Sequence, residues 1–359
     1  MNIAQTRRIG GTDLQIPVLG LGANPLGGLY EPISYEDVAA TIDRAYEAGV
    51  RFFDLAPVYG YGNAEKNVGR ALQARPRDEL FVTTKIGRLL LDPNDPKSPT
   101  DREDVMVLWE GEQLYKGTDA LRPYFDFSRD GVRRSIEASL KRTGLDRFDA
   151  LHIHDPDLYP DEAIDGAFRA LSDLKDEGVI GAIGCGMNQW EMLADFANRA
   201  PFDCFLLAGR YSLLDQSALP GLMPVCERNH ISLIVGGVYN SGILSHPDPG
   251  SIGGVSSSGS AIGSWTENVT FNYVPAPPEI IERAGAMKRI CDDHGTSLKA
   301  AAIQFPLHHP AVASVLMGPR TPEHVDDNIK AFTDPVPAAL WSDLKAGGFL
   351  TADAPTPIS

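Results

Sequence analysis

Cysteine is scarce in this chain and never paired in spacing: Cys185, Cys204, Cys226 and Cys291 are the only four in 359 residues. With no CxxC and no Cys/His cluster, neither a zinc ribbon nor a disulfide scaffold is expected. Cys185 and Cys204 lie in apolar strand-like runs and read as small core residues, which suits a reducing cytoplasm. Positive charge is also in deficit, with a net charge of -16 at pH 7. Such a surface repels nucleic acid and anionic membranes, and neither is expected as a partner. No apolar run is long enough to span a bilayer, and the first residues, MNIAQTRRIGG, carry no apolar leader core. The glycosylation pattern at Asn268-Val269-Thr270 is therefore read as a chance match, and a cytoplasmic location is expected.

Composition otherwise suits a globular enzyme with a large core, at 43% hydrophobic and 22% charged residues. Residues 7–16 read as a short hairpin turning at Gly10, Gly11, Thr12 and Asp13. Beyond it, apolar runs alternate with helical periodicity. Strands are predicted at 18–23, 51–56, 80–86, 149–154, 181–187, 204–209, 231–238 and 312–318. Helices fit between and after them at 35–48, 64–74, 130–143, 161–177, 189–198, 219–227, 297–306 and 322–331, with an extra helix at 279–294. Ser34, three residues before Asp37, reads as the cap of the first. Eight strand–helix pairs predict a closed (β/α)8 TIM barrel forming one domain over 1–359, rather than an open sheet.

Two connections, 87–129 and 239–277, are too long for simple loops and are read as lids over the C-terminal face. Trp109 in the first lid, with Trp265 and Tyr273 in the second, are candidate substrate contacts, as is Asp155 beside the fourth strand. The Gly/Ser-rich stretch 250–264 is expected to be mobile, and residues 351–359 to form a surface tail.

The chemistry concentrates where strands give way to loops. Asp54, Tyr59, Lys85 and His154 stand at or just past the ends of the second, third and fourth strands, the catalytic rim of a barrel. A phenol is a poor base at neutral pH unless a cation stabilises the phenolate, and Lys85 can supply that cation. Asp54 would hold Lys85, and His154 would share a substrate oxygen with Tyr59. The set moves a proton on or off an alcohol or carbonyl oxygen and contains no nucleophile. Taken singly, a lysine or aspartate at a strand end is usually a solvated charge or a turn residue; the four together reverse that reading.

Other patterns are weaker. His152 and His154 point to one side of a strand as a metal pair would, but no third ligand accompanies them, so no metal is expected and His152 is read as a satisfied interior histidine. GLGANPLGG, at 20–28, has Pro25 where a dinucleotide loop needs its third glycine.

The words around the four residues resemble the aldo-keto reductases. RFFDLAPVYGYGNAE is similar to that family's Asp- and Tyr-bearing stretch, VTTK to its Lys segment and LDRFDALHIHDPD to its His segment. The resemblance implies a catalytic tetrad of Asp54, Tyr59, Lys85 and His154, a (β/α)8 barrel, and an NAD or NADP cofactor. GAIGCGMNQW resembles the segment holding the nicotinamide carboxamide, with Asn188 on the family's Asn and Met187 where a Ser is usual. Further cofactor contacts are implied at Gly22 and, within GGVYNSGIL, at Tyr239, Gly242 and Leu244. SVLMGPRTPEHVDDN resembles the adenosine-phosphate segment, placing Gly318 and His324 where NADP-binding members often carry cations. Arg320 could replace them, and Asp327 with Asn328 matches positions that bond the adenine edge. The two lost cations favour NAD.

HDPD, GCGMNQW, GGVYNSGIL, NYVPAPP and AAIQFPLHHPAVASV resemble one branch, the NAD(P)-dependent aldose dehydrogenases acting on L-fucose and related sugars, together with an aldo-keto-reductase-type pyridoxal dehydrogenase. That branch implies oxidation of an aldose at C1 to the lactone. Pyridoxal or another aldehyde or ketone is the nearer alternative, and a non-catalytic cofactor-binding sensor the farther one. The nicotinamide's stacking partner and the oligomeric state stay open.

Overall fold

The computed structural model describes residues 1–105, 113–249 and 270–357. Its centre is a closed barrel of eight parallel strands: β1 Leu19–Gly22, β2 Phe52–Asp54, β3 Phe81–Ile86, β4 Ala150–His154, β5 Ala182–Met187, β6 Cys204–Ala208, β7 Ser232–Gly236 and β8 Val312–Met317. Each strand pairs with the next in the chain, and β8 closes on β1 through Val315↔Leu19. The strands are shorter by one to three residues than their apolar runs, because most of the flanking apolar residues turn into loops while staying buried.

Strands buried on both faces carry apolar residues at nearly every position. Inward, Phe52, Phe81, Ala150, Ala182, Cys204, Leu206, Ile234 and Leu316 fill the barrel. Outward, residues such as Phe53, Val82, Leu151, Ile183, Leu207 and Val235 meet the helices. Phe52 and Phe81 meet edge to face at 5.5 Å, a geometry that adds roughly 0.5–1.5 kcal/mol to their burial.

The N-terminal hairpin, Thr6–Arg8 with Gln15–Pro17, closes the barrel floor. Ile9 and Ile16 join the inner core, and Arg7 donates to the carbonyls of Val312 (2.5 Å) and Leu307 (3.0 Å). Gly10 turns there with φ 50°, and a Cβ would lie 2.5 Å from the Asp203 carbonyl oxygen, so no other residue fits without displacement.

The helices follow the predicted order. Ser34 Oγ accepts from Asp37 N at 3.1 Å and caps Tyr35–Glu47 as expected. The predicted 161–177 helix contains a π-helical stretch, Ala163–Phe168, which sequence periodicity does not reveal. A further helix, Ala338–Ala346, buries Trp341 and lacks a counterpart among the predicted elements. The expected surface tail turns back after it, with Ala354 1% exposed. Among the described residues no helix is long and apolar enough to cross a membrane. All four cysteines are buried and free.

Both long connections hold structure that was not foreseen. The first contains an antiparallel pair, Arg88–Leu91 with Arg122–Phe125. The second contains a two-residue pair, Thr270–Phe271 with Val274–Pro275, bridged to Gly242. Trp109, Trp265, Asn268 and the stretch 250–264 lie outside the described residues.

Candidate active site

Strand register brings the polar set together. Asp54 pairs with Thr83 across β2 and β3, Lys85 with His152 across β3 and β4, and His154 with Gly186 across β4 and β5. Asp54 and Lys85 are each 1% exposed, so their charges must be satisfied internally. Lys85 Nζ donates to Asp54 Oδ2 at 2.7 Å, to the Leu55 carbonyl at 2.9 Å and to Tyr59 Oη at 2.9 Å. The second carboxylate oxygen of Asp54 accepts from Thr83 Oγ1 at 2.7 Å. Thr83 is thus part of the site, although a threonine inside an apolar strand carries no sequence signal for it.

Tyr59 reaches Lys85 from the loop after β2. That loop lies against the loop after β1, where Gly60 sits at φ 62° and a Cβ on it would stand 1.9 Å from the Gly27 carbonyl. Glycine at 60 therefore sets how deeply the Tyr59 turn seats over the barrel mouth. The Tyr59 and His154 rings meet edge to face at 6.0 Å.

Burial, then the charges of Asp54, Tyr273 and Asp155, push the Tyr59 phenol well above 10, with Arg88 opposing them. Lys85, bonded to its oxygen, also favours the phenolate. Burial prevails, so the resting phenol is an acid ready to donate. His154 is held well below the usual histidine range by burial and by the neighbouring cations Arg88 and Lys85. It meets a substrate oxygen as a neutral imidazole.

Arg88, unremarked in the sequence, is 6% exposed at the start of the first long connection. Its Nε donates to Asp104 Oδ2 at 2.6 Å and its Nη1 to the His154 carbonyl at 2.8 Å. Nη2 stands 3.4 Å from Asp155 Oδ2. Asn24, after β1, accepts from Tyr115 of the first long connection at 2.5 Å, and Tyr273 of the second also hydrogen-bonds it. Arg88 stands in no motif and Asn24 only in the discarded glycine cluster at 20–28; both are defined by partners distant in sequence.

His152 lies one step below the tetrad and is 0% exposed. It is interior as expected, but not satisfied: neither ring nitrogen has a protein partner among the described residues. Gly184 on the neighbouring strand packs closely against the ring, since a Cβ there would fall 2.1 Å from His152 Nδ1.

The mouth fits a nicotinamide dinucleotide. Asn188 Nδ2 donates to the Ala208 carbonyl at 2.8 Å, which leaves Oδ1 to accept from a carboxamide. Gly22 and Gly236 carry no side chain into the opening, and at Gly186 a Cβ would stand 3.7 Å from Lys85 Cε. Met187 points to the outer core and is 2% exposed, so it supplies no polar contact in place of serine. Beyond the rim, Tyr239 Oη donates to Asn328 Oδ1 at 2.7 Å, and Asn328 Nδ2 donates to the His324 carbonyl at 2.6 Å. The Gly242 and Leu244 amides both turn inward onto the Tyr239 carbonyl. Asp327 accepts from Lys299 at 2.7 Å. Arg320, expected to face a phosphate, instead spends its guanidinium on the carbonyls of Pro25, Leu29, Glu31 and Pro32, at 2.7–3.4 Å. Gly318 lies against Pro25.

Known proteins resemble this chain over nearly its whole length. The chain is 36% identical to a pyridoxal 4-dehydrogenase of Microbacterium luteolum, over 98% of this chain and 99% of that protein. It is equally 36% identical to a D-threo-aldose 1-dehydrogenase of a Pseudomonas species, over 92% and 94%. The solved glycerol dehydrogenase of Gluconobacter oxydans shares the fold, with a TM-score of 0.71 at 22% identity over 99% of this chain and 98% of that one. The model of the aldo/keto reductase family matches residues 18–346, and the chain belongs to that family of NAD(P)-dependent oxidoreductases.

Proposed function

We propose that the protein oxidises an aldose such as L-fucose at its anomeric carbon to the lactone, with NAD as the preferred cofactor. The observation that carries the reading is Lys85 Nζ, hydrogen-bonded at once to Asp54 and to Tyr59 Oη. A bound nicotinamide would supply the hydride acceptor for the C1 hydrogen. Tyr59, as phenolate, takes the proton of the C1 hydroxyl while that carbon–oxygen bond becomes a carbonyl. Lys85 stabilises the phenolate and Asp54 holds Lys85 in place. His154 hydrogen-bonds the reacting oxygen, and Asn188 orients the carboxamide. In the reverse direction the resting phenol donates.

The cofactor preference rests on the cations. Arg320 is occupied by four carbonyls, Lys299 is paired with Asp327, and Gly318 offers no charge. At the two places where NADP-binding relatives often carry cations for a 2′-phosphate, this chain has Gly318 and His324. Free buried thiols suit a reducing cytoplasm.

A second reading keeps the chemistry and changes the substrate. Tyr59 and Tyr273 gather at the mouth beside Tyr115 and Tyr30, and such a set of rings would also stack on an aromatic aldehyde such as pyridoxal. A relative named for pyridoxal supports it. Initial rates with L-fucose, D-arabinose and pyridoxal, each with NAD+ and NADP+, separate the two. Turnover of pyridoxal with none of any sugar would end the aldose reading.

A further inference from the structure

Asp155 follows His154 directly and adopts a left-handed backbone at φ 39°. Non-glycine residues rarely occupy that region, and holding one there costs on the order of 1 kcal/mol. The strain is maintained by the Asp155 amide, which donates to the Gly186 carbonyl at 3.0 Å, and by Arg88, which grips the His154 carbonyl. Its effect is to turn the carboxylate toward the reacting groups. Asp155 Oδ2 lies 3.4 Å from His154 Nε2 and 3.4 Å from Arg88 Nη2. The charge is felt at both Tyr59 and Tyr273.

Neutralising Arg88 does not account for this placement. Asp104 already holds Arg88 Nε at 2.6 Å in closer geometry, and it does so without a strained backbone. Meanwhile Asp155 Oδ1 has neither a hydrogen bond nor an ion pair among the described residues, and the side chain is 32% exposed at the mouth. A rigidly held carboxylate oxygen without a partner, next to the imidazole that contacts the reacting oxygen, is an acceptor awaiting a donor from the substrate. A substrate donor that reaches this carboxylate while His154 holds the reacting oxygen would lie one hydrogen-bond span, roughly 3 Å, from that oxygen. That is the place of an oxygen on the neighbouring carbon.

We propose that Asp155 is a substrate-binding residue that accepts a hydrogen bond from a hydroxyl on the carbon next to the reacting one. The site then selects 2-hydroxy aldehydes, and aldoses through their 2-hydroxyl, over plain aldehydes. The preference for sugars rests on the aldose reading above, but the vicinal hydroxyl contact does not require a sugar and can be measured without one.

The test is a pair of isosteric aldehydes, 2-hydroxypropanal and 2-methylpropanal, reduced by the wild type and by Asp155→Gly and Asp155→Asn. Glycine accepts the left-handed backbone and deletes the carboxylate; asparagine tolerates it and keeps an uncharged acceptor. The wild type should prefer the hydroxy aldehyde in kcat/KM, and Asp155→Gly should lower that preference by roughly ten- to a hundredfold, the range for a hydrogen bond to a charged group. Asp155→Asn should fall between, and 2-methylpropanal, which lacks the hydroxyl, is the reference against which any general change at His154 and Tyr59 is divided out. A wild type indifferent to the hydroxyl, or an Asp155→Gly variant that loses both substrates equally, would overturn the proposal; the latter would show that the carboxylate acts only by positioning Arg88 and His154. Aldose oxidation is measured alongside. If no aldose is oxidised while the hydroxy preference and its loss persist, only the aldose reading fails.

Discussion

Replacing Lys85 with methionine should unbalance a buried charge that the fold otherwise satisfies completely. The ammonium is 1% exposed and makes three hydrogen bonds, to Asp54, Leu55 and Tyr59. Its loss leaves the Asp54 carboxylate with the Thr83 hydroxyl, at 2.7 Å, as its one side-chain donor. Breaking one side of such a pair costs about 3–5 kcal/mol, most of it from the stranded partner rather than from the lost contact. Lys85→Met should therefore lower the urea midpoint at pH 7 by an amount corresponding to about 3–5 kcal/mol, with an unchanged slope. Asp54→Asn keeps an acceptor for Thr83 while removing the charge, so Asp54→Asn/Lys85→Met should recover about 2 kcal/mol or more relative to the sum of the single changes. The mechanism adds a separate requirement, that the double variant stays inactive however stable it becomes. A cost below about 1 kcal/mol for Lys85→Met, or strict additivity in the double variant, would refute the view of Asp54 and Lys85 as one buried unit.

Other outcomes follow from the same geometry. Because the Tyr59 phenol is pushed well above 10, oxidation, which needs the phenolate, should speed up steadily from about pH 7 to about pH 10 while reduction stays flat; a maximum below neutrality for oxidation would contradict it. Burial lowers His152 from 6.5 to about 4, so the unfolded chain binds the extra proton first. The stability this confers is present above about pH 6.5 and is lost as pH falls toward about 4, up to about 3 kcal/mol. In urea titrations His152→Leu should flatten that acid slope, and an unaltered slope would remove His152 as its source. Arg88→Lys keeps the charge but loses the fork that spans Asp104, the His154 carbonyl and Asp155. It should cost about 1–3 kcal/mol in unfolding experiments and reduce kcat/KM.

The barrel was legible because each strand is buried on both faces and therefore writes a continuous apolar run, and three of these runs finish on a polar residue that enters the site. Asp54, Lys85 and His154 are those ending residues, and Tyr59 follows one in a glycine-punctuated turn. The pair Arg88–Leu91 with Arg122–Phe125 was not legible, since its strands are short and some thirty residues apart in sequence, with no turn signal to join them. Arg320 shows the same limit from the other side. Its charge is visible in sequence, but its direction is set by four carbonyls of the loop after β1, and only the folded chain reveals that the cation is already engaged. Thr83 and Arg88 belong to the site through partners on neighbouring strands and in the long connection after β3, which no local pattern encodes. The tail's return, where Lys345 Nζ donates to the Ala352 carbonyl, depends in the same way on a helix that short, weakly periodic sequence at 338–346 does not announce.

The most direct test of the proton-transfer account is the Tyr59→Phe variant, assayed for reduced-nicotinamide formation with L-fucose and for cofactor binding by quenching of protein fluorescence. The phenylalanine keeps the ring that lies 6.0 Å from His154 and removes only the hydroxyl bonded to Lys85. Turnover should fall by roughly a hundred- to ten-thousandfold while cofactor binding is retained. A variant that binds cofactor and turns over as fast as the wild type would contradict the account at its centre.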